Sequence, residues 1–249
     1  MGTSQQAGQP EFGYCGTLQQ LLDAGSVVGQ TGKRFHLGSL STPNNLRAIR
    51  HLMLQHEPEA TLEIGMGLGG SCLAFAATHR DLGRPPTGQH IAVDPFESTV
   101  WDNAGRVLLE RDGLCGYVQV REERSHAVLP RLLVEARRFG LVLVDGSHLF
   151  EDAFVDFYYA AHLLPVSGIL AFDDSREPGV RKVLRFISAN MGGVLRRVDL
   201  SAVHAARGLA ARARHRVATQ VGCQQLTAYV KIAPTDGAFR AWDAKLRRF

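Results

Sequence analysis

The chain has 249 residues, 45% of them hydrophobic, which supplies a real core for one generous domain and excludes a low-complexity chain. A net charge of +4 and a pI near 9.0 are only mildly basic, and no RNA-binding signature accompanies them. No apolar run is long enough to span a bilayer, and Cys15, Cys72, Cys115 and Cys223 show no paired spacing. Neither a disulfide framework nor a zinc knuckle is indicated, so the expected setting is reducing and cytoplasmic.

Residues 1–13 are rich in Gly, Gln and Ser and are predicted to be disordered. Residues 14–60 read as a helical cap region. Within it, Thr42 followed by Pro43 is a cap-plus-first-turn start for a helix carrying Leu46, Ile49 and Met53. From residue 61 to 249 the chain reads as one domain. Strand-like runs at Thr61–Ile64, His90–Val93, Gly116–Val120, Leu141–Val144 and Ile169–Phe172 alternate with amphipathic segments, the pattern of a parallel sheet built from βαβ units. Phe150, Phe154, Phe157, Ala161 and Leu164 repeat at helical spacing, with Asp152 and Asp156 on other faces, and Pro165 and Gly168 stop that helix. Val180, Val183, Leu184 and Ile187 mark another helix. Val194–Leu200 and Gln225–Ile232 read as two final strands, separated by an Ala/Arg-rich insertion at 201–220 that is either a helical lid or a long loop. The class is α/β.

The segment Thr61-Leu-Glu-Ile-Gly-Met-Gly-Leu-Gly-Gly-Ser71 runs from a strand into a glycine turn. Such a turn lets backbone N–H groups approach a ligand, and the helix after it presents its positive end. Gly65-x-Gly67-x-x-Gly70 matches the dinucleotide fingerprint, with Asp94 at about the distance of a ribose-binding acid. That match is compatible with a nicotinamide oxidoreductase. Asp145 and the pair Asp173-Asp174 end two further strands. In an open parallel sheet, ligands bind outside the carboxyl ends of the strands, so these acids are expected to share one crevice.

Glu63, Gly65, Gly67 and Gly69 together give Glu-x-Gly-x-Gly-x-Gly, which resembles motif I of the class I S-adenosylmethionine-dependent methyltransferases. The resemblance runs from about Ser41 to Ile232. It implies a Rossmann-like, doubly wound, mostly parallel seven-stranded sheet with an antiparallel final strand. It also implies that the glycine turn, with Met66 and Ser71, contacts the methionine part, and that Glu63 bonds the ammonium or a structured water. Asp94 would take the two ribose hydroxyls, which a carboxylate can accept together. Ser125, after the third strand, would contact the adenine.

Asp145-Gly-Ser-His148 with Asp173-Asp174 resembles the group that includes the macrocin and mycinamicin O-methyltransferases and the cephalosporin-hydroxylase-like proteins. By that resemblance Asp145, Asp173 and Asp174 hold a magnesium ion, whose preference is for hard carboxylate oxygens with retained waters. Antibiotic-sugar enzymes of this group often carry a second aspartate as base where this chain has Ser147, and His148 is the substitute, with Asp145 beside it. Amino-directed nucleic-acid methyltransferases typically have Asn/Asp-Pro-Pro-aromatic at this place, which is absent here. The expected reaction is therefore magnesium-assisted O-methyl transfer from S-adenosylmethionine to a sugar, natural product or phenol. The expected partner is a small hydroxylated molecule rather than nucleic acid or membrane, and the sequence is compatible with a homo-oligomer. A metal-independent N- or O-methyltransferase of another acceptor fits the same residues, and so does a non-catalytic binding protein that kept the cofactor fold.

Overall fold

The computed structural model describes residues 11–201, 203, 225–235 and 248. Helix α1 (Gly16–Ala24) leads into a hairpin of β1 (Ser26–Val28) and β2 (Arg34–His36), then α2 (Pro43–His56). Alternating strands and helices follow: β3 (Thr61–Ile64), α3 (Gly70–Asp81), β4 (His90–Val93), α4 (Ala104–Arg111), β5 (Val118–Arg121), α5 (Ser125–Val134), β6 (Leu141–Val144), α6 (Phe150–Leu163), β7 (Ile169–Phe172) and α7 (Pro178–Asn190). The last strands are β8 (Leu195–Arg197) and β9 (Thr227–Lys231).

The sheet has seven strands in the order β5-β4-β3-β6-β7-β9-β8, parallel through β7, with β9 antiparallel to both its neighbours. Strands β3, β4, β6 and β7 are buried at every position, because helices cover both faces, and this is why they read as continuous apolar runs. One face packs Leu62, Ile64, Val142 and Val144 against α5, α6 and α7. The other packs α3 and α2 through Phe75, Leu52 and Met53.

Register then sets the site. Ile64 pairs with both Val93 and Val144, and Val144 pairs with Phe172. The next residue on each strand is Gly65, Asp94, Asp145 or Asp173, so all four stand in one row at the carboxyl edge. The chain adds β4 and β5 on one side of β3 and then returns to place β6 on the other. This reversal is the switch point where open sheets leave a crevice.

Gly65 has φ +92°, and a Cβ there would lie 2.1 Å from the Asp145 carbonyl oxygen. The turn thus needs glycine twice over, for the left-handed backbone and for the close approach of the β6 end. Gly65→Ala should destabilise the fold by about 2–4 kcal/mol, combining backbone strain with a backbone clash. Urea unfolding measures it, and an unchanged midpoint would refute the turn geometry.

The N-terminal expectations change in part. Residues 1–10 lie outside the described residues, but Phe12, inside the segment predicted to be disordered, is only 3% exposed. It packs with Leu18 and Leu46, since an apolar ring and the neighbouring Tyr14 gain more by covering α2 than by staying in water. Arg50 of α2 lies 3.7 Å from the Tyr14 ring. The β1–β2 hairpin, unforeseen in the sequence, joins α1 and α2 in this region. Strand β5 starts two residues later than predicted, because Cys115–Tyr117 forms a short 3-10 turn. Of the 201–220 insertion only Ser201 and Val203 are described, and the choice between lid and loop lies outside the described residues.

Candidate active site

The row of strand ends opens into a crevice of about 650 Å³, within the usual size range of small-molecule sites. Gly65, Met66, Gly67, Ser71, Asp94, Ser125, Asp145, His148, Asp173 and Asp174 all line it. Two expected cofactor residues do not. Gly69 caps α3 with φ +82° and packs against α4, where a Cβ would meet the Gly105 Cα at 2.6 Å. Glu63 is fully buried on the α3 side of the sheet, with Oε1 3.1 Å from the His90 Nε2.

The reason for the Glu63 correction is the period of a strand. Residues 61 and 63 share one face, two pleats from the ligand-facing end. Thr61 Oγ1 sits 2.8 Å from both His79 Nε2 and His90 Nδ1, and Phe75 stacks on the His90 ring at 4.5 Å. Burial, and then His90, push His79 down to about 3, and burial with Glu63 pushes the Cys72 thiol up. Among the described residues, Glu63, Cys72 and His90 alone bring three potential metal-ligand atoms within 4.8 Å of one another. This network lies inside the fold, apart from the crevice.

Asp94 does more than the sequence suggests. Its Oδ2 accepts from the Met66 and Gly67 backbone N–H groups at 3.1 and 2.8 Å, and its Oδ1 from Phe96 N–H at 2.8 Å. The carboxylate therefore holds the glycine turn in shape. An ionised carboxylate has about four acceptor positions, so capacity remains for a ribose hydroxyl.

On the other side of the crevice the acids crowd. Ser41 Oγ stands 3.1 Å from Asp145 Oδ2 and 3.0 Å from Asp173 Oδ2. A hydroxyl carries one proton, so two ionised carboxylates cannot both be satisfied by it. Asp173 Oδ1 also accepts from Asn45 Nδ2 at 2.5 Å and from Asp174 N–H at 2.7 Å. Burial pushes the Asp145 carboxyl well up, with Asp173 adding repulsion, and burial also raises Asp173 against its hydrogen bonds. Asp174 adopts φ +46°, the left-handed region that aspartate tolerates better than most residues. That turns its Oδ2 to within 2.8 Å of His148 Nε2, and Gln225 Nε2 donates to its Oδ1 at 3.4 Å. His148 stands in the turn before α6 with 47% of its side chain exposed.

Sequence reasoning missed Ser41 and Asn45. The Thr42 cap is real, with its Oγ1 accepting from Asn45 N–H at 3.4 Å. Its value to the site is that it starts α2 against acids more than 100 residues away, which no local signal reports. It gave no site role to Asp156, which lies off the apolar stripe of its helix yet is only 2% exposed and lines the crevice. Phe96 and Trp101 add an apolar wall.

Residues 62–175 match a family model described as a methyltransferase domain. Among solved structures, the chain is similar to a putative O-methyltransferase from Klebsiella pneumoniae, with 16% identity over 92% of each chain and a TM-score of 0.58. It is similar to the O-methyltransferase TomG from Streptomyces achromogenes, involved in tomaymycin synthesis and solved with SAM, at 15% identity over 92% of each chain and a TM-score of 0.57. The O-methyltransferase from Bacillus cereus, solved with SAH, is 16% identical over 86% of this chain and 90% of that one, with a TM-score of 0.55. No curated protein matches the chain. At these identities the solved structures speak for the fold, and the family model speaks for the segment that carries the crevice. The sheet order, the glycine turn and the strand-end acids accord with that match, in which residues 62–175 correspond to a methyltransferase domain.

Proposed function

We infer that the protein transfers the methyl group of S-adenosylmethionine to a hydroxyl of a small molecule, with magnesium assistance. The observation that carries this reading is the adjacency of the Asp94-braced glycine turn to Asp145, Asp173 and His148 in one crevice. The relatives named above are O-methyltransferases by description, and no strand-end Pro-Pro-aromatic motif points to amino acceptors. Asp145, Asp173 and Asp174 would hold the ion. The fit rests on the donor set, three carboxylates, and on the single Ser41 proton shared by two of them, a crowding that a cation relieves. When bound, magnesium supplies Lewis-acid lowering of the acceptor hydroxyl's pKa.

The chain's own residues then have distinct tasks. The glycine turn and Asp94 orient the sulfonium so that its methyl faces the acids. His148, steadied through Nε2 by Asp174, takes the proton from the acceptor oxygen as that oxygen attacks the methyl in line. Phe96 and Trp101 supply an apolar part of the crevice wall near Asp94. Positioning of this kind is worth about 7–11 kcal/mol in ideal cases.

A second reading, a metal-independent methyltransferase of another acceptor, has one observation in its favour. Asp145, Asp173 and Asp174 do not bring three donor atoms within 4.8 Å of one another, whereas the buried Glu63 trio does.

Isothermal calorimetry with S-adenosylhomocysteine and with NAD, followed by an assay of S-adenosylhomocysteine release over hydroxylated acceptors, tests the main reading. Tight NAD binding with no response to the nucleoside would overturn it. Asp94→Ala should weaken nucleoside binding by at least about 1.5–3 kcal/mol, the scale of a lost charged hydrogen bond, because the same change releases the Met66 and Gly67 amides.

A further inference from the structure

The buried group around Glu63 has no task in the reaction described above. Both Glu63 oxygens and His90 Nε2 lie inside the fold without a hydrogen-bond partner, although Oε1 and Nε2 stand 3.1 Å apart. A hydrogen-bonded ion pair would satisfy one atom on each side, and native structures rarely leave buried polar atoms unpaired without a use. The third member is the fully buried Cys72, near the start of α3, whose sulfur lies within 4.8 Å of donor atoms of the other two. The three side chains come from β3, α3 and β4, so whatever they hold in common ties together the first βαβ unit.

The donor set indicates what is held. A carboxylate, a thiolate and an imidazole are all zinc ligands, at about 2.0–2.3 Å from the ion. The 3.1 Å between Oε1 and Nε2 is close to the edge of such a tetrahedron, roughly 3.3 Å. Oε2, also unpartnered, can complete four donor atoms. Thr61 Oγ1 can accept from His90 Nδ1–H and pass its own proton to Nε2 of His79, which burial keeps neutral. That tautomer turns the Nε2 lone pair of His90 toward Glu63, an arrangement that is repulsive to a bare carboxylate and suited to a shared cation. A second partner on the other ring nitrogen orients metal-binding histidines in this way. Charge balances as well. Zinc displaces the Cys72 thiol proton to solvent, and its two positive charges meet one thiolate and one carboxylate. Without a cation, burial holds that thiol protonated.

We propose that Glu63, Cys72 and His90 bind one zinc ion, which joins β3, α3 and β4 behind the glycine turn as a structural site separate from the crevice acids. The proposal is independent of the reaction assigned to the crevice. Because all three ligands are fully buried, zinc enters as the chain folds and resists chelators afterwards, unlike an ion in the open crevice. The full chain, produced in zinc-containing medium and dialysed against EDTA, should retain one zinc per molecule by elemental mass spectrometry. Cys72→Ala removes only a small buried side chain and should fold. It should retain less than about a tenth of the wild-type zinc, since the thiolate is one of three protein ligands. Refolded with cobalt in place of zinc, the wild type should show a thiolate-to-cobalt charge-transfer band that Cys72→Ala lacks. A wild type that retains no zinc overturns the proposal, and so does a cobalt-refolded wild type without the band; neither result depends on a variant. Full zinc content in a folded Cys72→Ala protein overturns it too, by placing the ion elsewhere.

Discussion

Methyl transfer should stop in excess chelator and return with added magnesium, while calorimetric binding of S-adenosylhomocysteine stays largely intact. Two carboxylates that share the Ser41 proton are the cause. Burial pushes Asp145 and Asp173 up, with Asp173 repelling Asp145 and Asp174 repelling Asp173, so the crevice carries an electrostatic cost. A divalent cation between the strand ends would relieve it and fix the acceptor oxygen near the methyl. The glycine turn and Asp94 lie on the other side of the crevice and should hold the nucleoside without the ion. Asp145→Asn keeps the shape but removes a charge, and turnover should fall by about 10²–10³-fold, the scale of one lost preorganised electrostatic contact. Full turnover in chelator, or a manganese-soaked crystal without an anomalous peak between these acids, would establish the metal-independent reading.

The second large effect is expected at His148. His148→Ala should cut turnover by roughly 10²–10⁴-fold, the usual contribution of a positioned general base, with nucleoside affinity little changed. The geometry supporting this is the 2.8 Å contact of Nε2 with Asp174 Oδ2, which fixes the ring at the crevice while leaving about half of the side chain exposed. His148→Gln, which retains a polar side chain of similar reach but cannot accept the proton as a base, should remain as impaired as alanine. Near-full turnover in either variant would leave proton removal to solvent or to the metal site, and His148 to a structural contact with the end of β7.

The legible part of the site lay where local sequence and tertiary position coincide. The glycines at 65 and 67 sit at a strand end whose backbone geometry only glycine accepts readily, and their spacing announces it. Asp94, Asp145 and Asp173 were legible for a related reason: each follows four buried strand residues, and a charged group at the end of such a run has the sheet's edge as its natural place. Glu63 also stands near a strand end, but the structure buries it against His90 rather than in the crevice wall. Asp156 was passed over for another reason. Helical spacing correctly separates it from Phe154 and Phe157 but does not tell which neighbouring element covers its face. Here α5 and the β6 turn do so, through Ser125 and Gly146.

By itself the sequence determined the α/β class, the strand and helix succession from residue 61 to α7 and the glycines and strand-end acids of the crevice, because periodicity, glycine turns and caps act over one or two turns of chain. Only the tertiary structure decided which side chains meet. Strand register set Gly65, Asp94, Asp145 and Asp173 in one row. The docking of α2 brought Ser41 and Asn45 to acids more than 100 residues away, and the left-handed backbone at Asp174 delivered its carboxylate to His148. Those pairings depend on the order in which strands add to the sheet and on packing between helices. Contacts of that kind join residues far apart in the chain, and no local pattern encodes them.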